Sequence, residues 1–124
     1  MITHVQIAHV PVADQDRAKE FYIDKLGLTV VADMDGGPHG RWLQVAPEGA
    51  ATSLALTPGE GNAQPGSATV VFECPDVAAA RDTLRDRGVE LPHEIEHMPW
   101  ATALRFTDPD GNIISLQSPA VMAK

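Results

Sequence analysis

An internal repeat constrains the fold of this chain more than any other feature of its sequence. Residues 14–27 begin with an aspartate and end with a glycine, and residues 76–88 do the same. The triplet Pro-Glu-Gly at 47–49 recurs as Pro-Asp-Gly at 109–111, at nearly the same offset. Self-similarity at a fixed spacing indicates two copies of one structural unit.

Each copy predicts the same order of secondary structure. Residues 3–12 and 68–73 are rich in β-branched residues, as strands are, and an aspartate suited to a helix N-cap follows each. Apolar residues at helical spacing come next, until a glycine supplies a left-handed C-terminal cap. Three shorter strands complete each copy, near 28–34, 41–46 and 52–57, and near 89–97, 102–107 and 112–118.

The predicted fold class is therefore α+β, with two tandem βαβββ modules in one domain. The expected division is a first module at 1–57, a linker at 58–66, a second module at 67–118 and a C-terminal tail at 119–124, all within a single domain 1–124. The linker PGEGNAQPG is rich in glycine and proline, which allows the modules to pair within one chain or between two chains.

Composition narrows the classes of partner. Nine Lys and Arg against seventeen Asp and Glu give a formal charge of −8, which disfavours nucleic acid and anionic membrane surfaces. No apolar stretch reaches the ~20 residues that a bilayer requires. The single cysteine, Cys74, excludes an intramolecular disulfide framework and fits a reducing compartment. We therefore expect a cytoplasmic protein with no nucleic-acid and no membrane partner.

Two acidic motifs could suggest a metal site, and neither fits one. The stretch DPDGN at 108–112 lacks the third oxygen ligand and the downstream glutamate of a calcium loop, whereas its Pro, Asp, Asn and Gly suit a tight turn. The stretch HEIEH at 93–97 matches H-E-x-x-H, but Pro92 and Pro99 leave no room for the helix that such a zinc site needs. We predict a hairpin turn and a polar edge strand, respectively.

Three segments resemble the vicinal oxygen chelate superfamily, which includes glyoxalase I, bleomycin-resistance proteins, extradiol dioxygenases and methylmalonyl-CoA epimerase. They are VADQDRAKEFY at 12–22, LGL at 26–28 and DPDGN at 108–112. The resemblance covers almost the whole chain and implies a curved, barrel-like sheet around a central cleft, commonly in a homodimer. Its motifs mark caps and turns, so they indicate the fold more strongly than the chemistry.

The resemblance also implies where a divalent metal would be held. The four ligand positions of the metal-binding members correspond here to Ile7, Ala55, Thr69 and Ser115. Transition metals need imidazole, carboxylate or thiolate donors, which these residues do not supply. We therefore expect no metal cofactor. A displaced site built from His4 or His9 with Glu73 is the alternative, and a strand bulge at Pro11 would decide which histidine faces the cleft.

If those four positions face inward, strand alternation brings further side chains to the same cleft. With two tryptophans from neighbouring loops, the predicted ligand-binding residues are His9, Trp42, Ser53, Thr69, Glu73, Trp100, Ser115 and Gln117. A few polar groups on apolar walls suit a small organic ligand. His9 and Glu73 are also the candidate acid and base of an enzyme, although pairing with each other on a solvated sheet face would explain them equally well.

Three functions follow from these residues. The first is a metal-independent small-molecule-binding protein, a homodimer similar to the drug-sequestering bleomycin-resistance members. The second is a glyoxalase-like lyase, an isomerase or an extradiol dioxygenase that uses a displaced metal site. The third is a metal-independent enzyme in which His9 and Glu73 exchange a proton with the substrate.

Overall fold

The computed structural model describes residues 1–59 and 63–119. The first unit contains strands β1 (Ile7–Pro11), β2 (Thr29–Asp35), β3 (Arg41–Ala46) and β4 (Ser53–Thr57) and helix α1 (Gln15–Glu20), which continues as a π-helical turn at Phe21–Lys25. The second unit contains strands β5 (Thr69–Glu73), β6 (Glu96–His97), β7 (Ala101–Thr107) and β8 (Ile113–Pro119) and helix α2 (Val77–Asp86). The βαβββ order occurs twice, which confirms the predicted fold class.

Each unit forms its own four-stranded sheet with the same topology. The strand orders are β1-β4-β3-β2 and β5-β8-β7-β6. The first and last strands of each unit pair in parallel, and the remaining pairs are antiparallel. A parallel pair needs a long crossover connection, and the helix with the two intervening strands supplies it. Within the described residues the two sheets are not hydrogen-bonded into one closed barrel.

The helix termini follow the sequence signals. The carboxylates of Asp14 and Asp76 accept the backbone N–H groups of Arg17 and Ala79, each at 3.1 Å, as N-caps do. Gly27 and Gly88 adopt φ of 77° and 82°, the left-handed conformation of a C-terminal cap. The second half of the helix predicted between residues 14 and 27 is π-helical rather than α-helical, which helix propensities do not predict.

Two predicted strands are shorter than expected. The strand predicted at 3–12 begins at Ile7, and before it the carbonyls of Val5 and Gln6 accept hydrogen bonds from Thr52 and from Ser53 at the start of β4. The strand predicted at 89–97 is reduced to Glu96–His97, since Pro92 has no N–H to give to a ladder. This short strand is exposed at the edge of its sheet, as predicted for the HEIEH motif, and no helix forms there.

Pro119, the first residue of the tail predicted at 119–124, belongs to β8. Residues 120–124 of the tail and residues 60–62 of the linker lie outside the described part of the chain. In the described ranges, no helix is long and apolar enough to cross a membrane.

One hydrophobic core serves both units. It combines Leu43, Leu54 and Leu56 of the first sheet with Leu104, Phe106 and Ile114 of the second, together with helix residues such as Phe21 and Leu84. The rings of Phe21 and Phe106 lie 6.4 Å apart across the boundary between the units. The core therefore covers one face of each sheet. We call the opposite faces the open faces of the sheets.

A buried polar cluster joins the units at the DPDGN turn. Asp108 and Asn112 are 4% and 0% exposed. The Tyr22 hydroxyl donates to Asp108 Oδ2 at 2.7 Å, and Asn112 Nδ2 donates to the same oxygen at 2.8 Å and to the carbonyl of Pro11 at 2.9 Å. We call Tyr22, Asp108, Asp110 and Asn112 the polar joint. The turn is confirmed, and it also links the two units.

The remaining carboxylate of the polar joint faces the start of α1. Asp110 Oδ1 accepts the backbone N–H of Ala13 at 3.0 Å and a guanidinium N–H of Arg17 at 2.9 Å. Burial, reinforced by the negative charge of Asp108, raises the pKa of Tyr22 far above its ordinary value. Tyr22 therefore stays protonated and acts as a hydrogen-bond donor to Asp108.

Candidate ligand-binding site

Strand alternation separates the core residues from the predicted site residues. On β1, Val10 is buried in the core, so His9 lies on the open face. On β4, Leu54 and Leu56 are core residues, which places Ser53 and Ala55 on the open face as well. His9 pairs in register with Ala55. The open face of the first sheet thus presents the residues of the first unit that were predicted from the sequence to face a cleft.

A cavity of about 590 Å³ lies on this face, and we call it the first cavity. Its lining residues come from β1, β3, β4 and the adjoining turns: His9, Pro11, Gly36, Gly40, Arg41, Trp42, Thr57, Pro58, Gly59 and Ala63. The rings of His9 and Trp42 meet edge to face, with their centroids 5.9 Å apart. This volume lies within the ~300–1,000 Å³ that small-molecule sites occupy.

A row of side-chain hydrogen bonds fixes Trp42 in the wall of the first cavity. The indole N–H of Trp42 donates to Gln44 Oε1 at 3.0 Å, and Gln44 Nε2 donates to Ser53 Oγ at 2.6 Å. A ring held in this way loses little freedom when a ligand binds. Gln44 was absent from the sequence prediction, although it follows Trp42 by two residues on β3 and alternation would have found it.

Arg41 also lines the first cavity, but its charge is already compensated. Its Nε and Nη2 donate to the two oxygens of Asp33 at 2.9 and 3.0 Å, and its Nη1 donates to Asp16 at 2.6 Å. Lys19 donates to Asp33 as well, at 2.8 Å. Hydrogen bonds from Arg41, and next from Lys19, hold the pKa of Asp33 well below its usual range. The guanidinium is therefore committed to two carboxylates.

A second cavity, of about 270 Å³, lies on the open face of the other sheet. It is lined by Val71, Phe72, Glu73, Trp100, Ala101, Gln117, Ser118 and Pro119. Trp100 is 67% exposed. Ser115 is buried beside this cavity and accepts a hydrogen bond of 3.4 Å from Gln117, whereas Thr69 is exposed at the start of β5.

The predicted site residues thus form two groups within one chain. His9, Trp42 and Ser53 belong to the first sheet, whereas Thr69, Glu73, Trp100, Ser115 and Gln117 belong to the second unit. The two cavities have no lining residue in common. His9 and Glu73, the candidate acid and base, therefore line different cavities of a chain. The repeat could not reveal this, because alternation assigns a residue to a face without relating one sheet to the other.

The family comparison agrees with this fold. The family model of the Glyoxalase/Bleomycin resistance protein/Dioxygenase superfamily matches residues 2–116. The chain belongs to this superfamily. It is 38% identical over 120 residues to the uncharacterized protein YetH of Bacillus subtilis (strain 168), which covers 94% of this chain and 99% of YetH.

Two solved structures of the superfamily are similar throughout. TnmS3, described as an antibiotic binding protein from Streptomyces sp. CB03234, superposes with a TM-score of 0.90 and is 44% identical, over 96% of this chain and 98% of its own. A member from Sphaerobacter thermophilus DSM 20745 gives a TM-score of 0.85 at 34% identity, over 94% and 98% of the two chains.

The side chains at the four metal positions predicted from the sequence are poor donors for a divalent ion. Ile7 and Ala55 lie on the open face of the first sheet and carry no donor atom. Thr69 and Ser115 offer neutral hydroxyls, and that of Ser115 accepts from Gln117. Across residues 1–59 and 63–119, no three His, Cys, Asp or Glu side chains come together as metal ligands would. Hydroxyl and alkyl groups are poor ligands for transition metals.

The residues of the displaced metal site considered from the sequence do not line one common cavity of the chain. β1 pairs with β4 in unbroken register from Ile7 to Pro11, so no bulge changes the face of His9. His4 precedes the strand, is exposed, and lies with its Nδ1 2.9 Å from Thr3 Oγ1. Glu73 lines the second cavity rather than the first.

Proposed function

We propose that this chain is a small-molecule-binding protein that sequesters an organic ligand without a divalent metal. One observation carries the proposal: a cavity of about 590 Å³ is walled by His9 and a fixed Trp42. It lies on the sheet face that also presents Ile7 and Ala55, two of the metal positions predicted from the sequence. A cavity with aromatic walls, in which the His9 imidazole is the single transition-metal donor among the lining residues, suits binding better than metal-assisted turnover.

The chemistry of the first cavity favours a largely apolar ligand. Pro11, Trp42 and the methyl-bearing Thr57 supply apolar surface, and His9 supplies a polar group that orients a ligand. The Trp42 indole is held by Gln44, so its face is available for stacking without further ordering.

The relative TnmS3 supports the same class of ligand. It is described as an antibiotic binding protein and is 44% identical to this chain over nearly its whole length. We extend that description to this chain as part of the proposal: the ligand is a small organic molecule of the antibiotic kind, and the protein binds it unchanged.

We also propose that the functional form is a homodimer. The open faces expose apolar side chains that a monomer leaves in water, including Val71 at 56%, Ile113 at 40% and Trp100 at 67%. A second copy that covers these faces removes them from water and closes both cavities. Size-exclusion chromatography with light scattering gives twice the chain mass if this holds, and the mass of one chain at every concentration contradicts it.

The test of function is a ligand screen followed by a matched pair of variants. Native mass spectrometry against a panel of antibiotics identifies a ligand that binds and is released unchanged. Trp42→Leu is expected to weaken its binding about five- to 150-fold, because stacking of a planar ring on an aromatic side chain contributes ~1–3 kcal/mol. Glu90→Gln, at an exposed residue that lines neither cavity, serves as the control and is expected to keep the affinity of the wild type. Chemical conversion of the ligand would overturn the binding-protein proposal.

A further inference from the structure

The second cavity contains a carboxylate that forms no ion pair with the part of the chain that the structure describes. Glu73 is exposed at the end of β5 and pairs in register with Gln117. None of the ion pairs formed among residues 1–59 and 63–119 involves it. Arg87 borders the neighbouring apolar cavity that Glu73 also lines, where its guanidinium donates to the carbonyl of Lys25 at 2.9 Å, and it is in no ion pair with Glu73.

An exposed indole shares the cavity with this carboxylate. Trp100 is 67% exposed and lines the second cavity together with Glu73 and Gln117. A carboxylate attracts a cation directly, and the face of an indole attracts a cation through its quadrupole. The two groups therefore favour the same kind of ligand atom, a positively charged nitrogen.

The rest of the binding surface disfavours an anion. The chain carries a formal charge of −8. Arg41 is the cationic side chain that lines the first cavity, and Asp33 and Asp16 occupy its donors. The residues that line the second cavity include no Lys or Arg. An anionic group bound in either cavity would meet no free counter-charge from these lining residues.

We propose that the second cavity is a subsite for a protonated amine, which lies between the Glu73 carboxylate and the Trp100 indole while the apolar or aromatic body of the ligand occupies the rest of the closed cavity. This inference rests on the proposed function and specifies the ligand class: an organic cation. It assigns Glu73 to recognition of charge rather than to acid–base chemistry.

The test uses two probes of the same shape and different charge. ¹⁵N NMR titration of the full chain with 1-naphthylmethylamine and with 1-naphthylmethanol at neutral pH measures both affinity and location. The amine is expected to shift the amide signals of Val71, Glu73 and Gln117 and to bind about fivefold more tightly than the alcohol. Equal affinities, or no shift of these amides at millimolar amine, would overturn the subsite.

A matched pair of variants separates the subsite from the overall charge. Glu73→Gln is expected to abolish the preference for the amine, whereas Glu48→Gln, in the exposed turn before β4, changes the net charge equally and is expected to keep it. Loss of the preference in both variants would assign it to the net charge and overturn the proposal. Trp100→Leu is expected to weaken the binding of the amine more than the binding of the alcohol.

The failure of this inference is distinguishable from failure of the proposed function. A screened ligand that shifts the amides of His9 and Trp42, without any amine preference at the second cavity, leaves the binding function intact and removes only the subsite. Chemical conversion of that ligand, with the amine preference intact, removes the binding function and leaves the subsite.

Discussion

Tyr22→Phe tests the polar joint, because it removes one hydroxyl and leaves the ring in the core. The Tyr22 hydroxyl donates to Asp108 Oδ2 at 2.7 Å, and Tyr22 is fully buried. A hydrogen bond to a charged group contributes about 1.5–3 kcal/mol. Asn112 Nδ2 continues to donate to the same oxygen, so the carboxylate keeps a partner. We therefore expect the variant to lose about 2 kcal/mol of unfolding free energy at neutral pH.

The pH dependence of this loss identifies its cause. Burial raises the pKa of Tyr22, while an unfolded tyrosine titrates near pH 10. Above about pH 10 the unfolded chain releases the proton and the folded chain retains it, so the stability of the wild type falls by roughly 1.4 kcal/mol per pH unit from this group. The advantage of the wild type over the variant should vanish near pH ~11.5.

Urea unfolding, followed by circular dichroism at a fixed protein concentration from neutral pH to about pH 11, measures both effects. The lysines titrate in the same range, but they are common to both proteins and cancel in the difference. Tyr22 is the single tyrosine of the chain, so phenolate absorbance reports its ionisation directly. A stability difference that stays constant across this pH range, or a phenolate signal near pH 10 in the folded protein, would refute the reasoning.

Three further predictions concern separate features. Gly66→Ala should lower the free energy of unfolding by about 2 kcal/mol or more, because the φ of Gly66 is +89° and a Cβ would lie 2.4 Å from the carbonyl oxygen of Asp110. Gly49→Ala, at φ +77° with open space around the Cβ, should lower it by only about 1 kcal/mol in the same urea assay. Equal losses in the two variants would contradict the clash with Asp110. Asp33→Asn should leave Asp16 as the one carboxylate that pairs with Arg41 among the described residues, and the affinity for 1-naphthylacetate, measured by calorimetry, should rise; an unchanged affinity would show that the guanidinium does not face the ligand. Protein incubated with nickel, zinc, manganese and ferrous iron and then desalted should hold well below one ion per chain by mass spectrometry, and a stoichiometric ion would contradict the assignment of the metal positions.

The sequence predicted the elements that depend on local chemistry. The caps at Asp14 and Asp76 and the left-handed Gly27 and Gly88 are set by a few neighbouring atoms, so their residue types are sufficient to locate them. Strand alternation likewise placed His9 on the open face. These features made the repeat, and through it the superfamily, accessible from the sequence.

The sequence could not predict features that depend on how the units pack. The DPDGN motif reads as a turn, but its burial against Tyr22 depends on contacts across 86 residues. The hydrogen bonds from Trp42 through Gln44 to Ser53 can be predicted only if the pairing of β3 with β4 is already known. Predicting that His9 and Glu73 line different cavities requires the relative placement of the two sheets, which the periodicity of a sequence does not encode.

The polar joint also sets an order of events during synthesis of the chain. Its hydrogen bonds connect residues that are 86 and 101 positions apart, Tyr22 with Asp108 and Pro11 with Asn112. When the first unit leaves the ribosome, its helix has a cap and a sequence suited to folding, but the partner of its buried hydroxyl has not been translated. Contacts of such long sequence separation form late and slow the folding of a domain. Until the second half of the chain arrives, Phe21 and Tyr22 lack the core and hydrogen-bond partners that Phe106 and Asp108 supply, and apolar surface that is exposed in this way during folding favours aggregation.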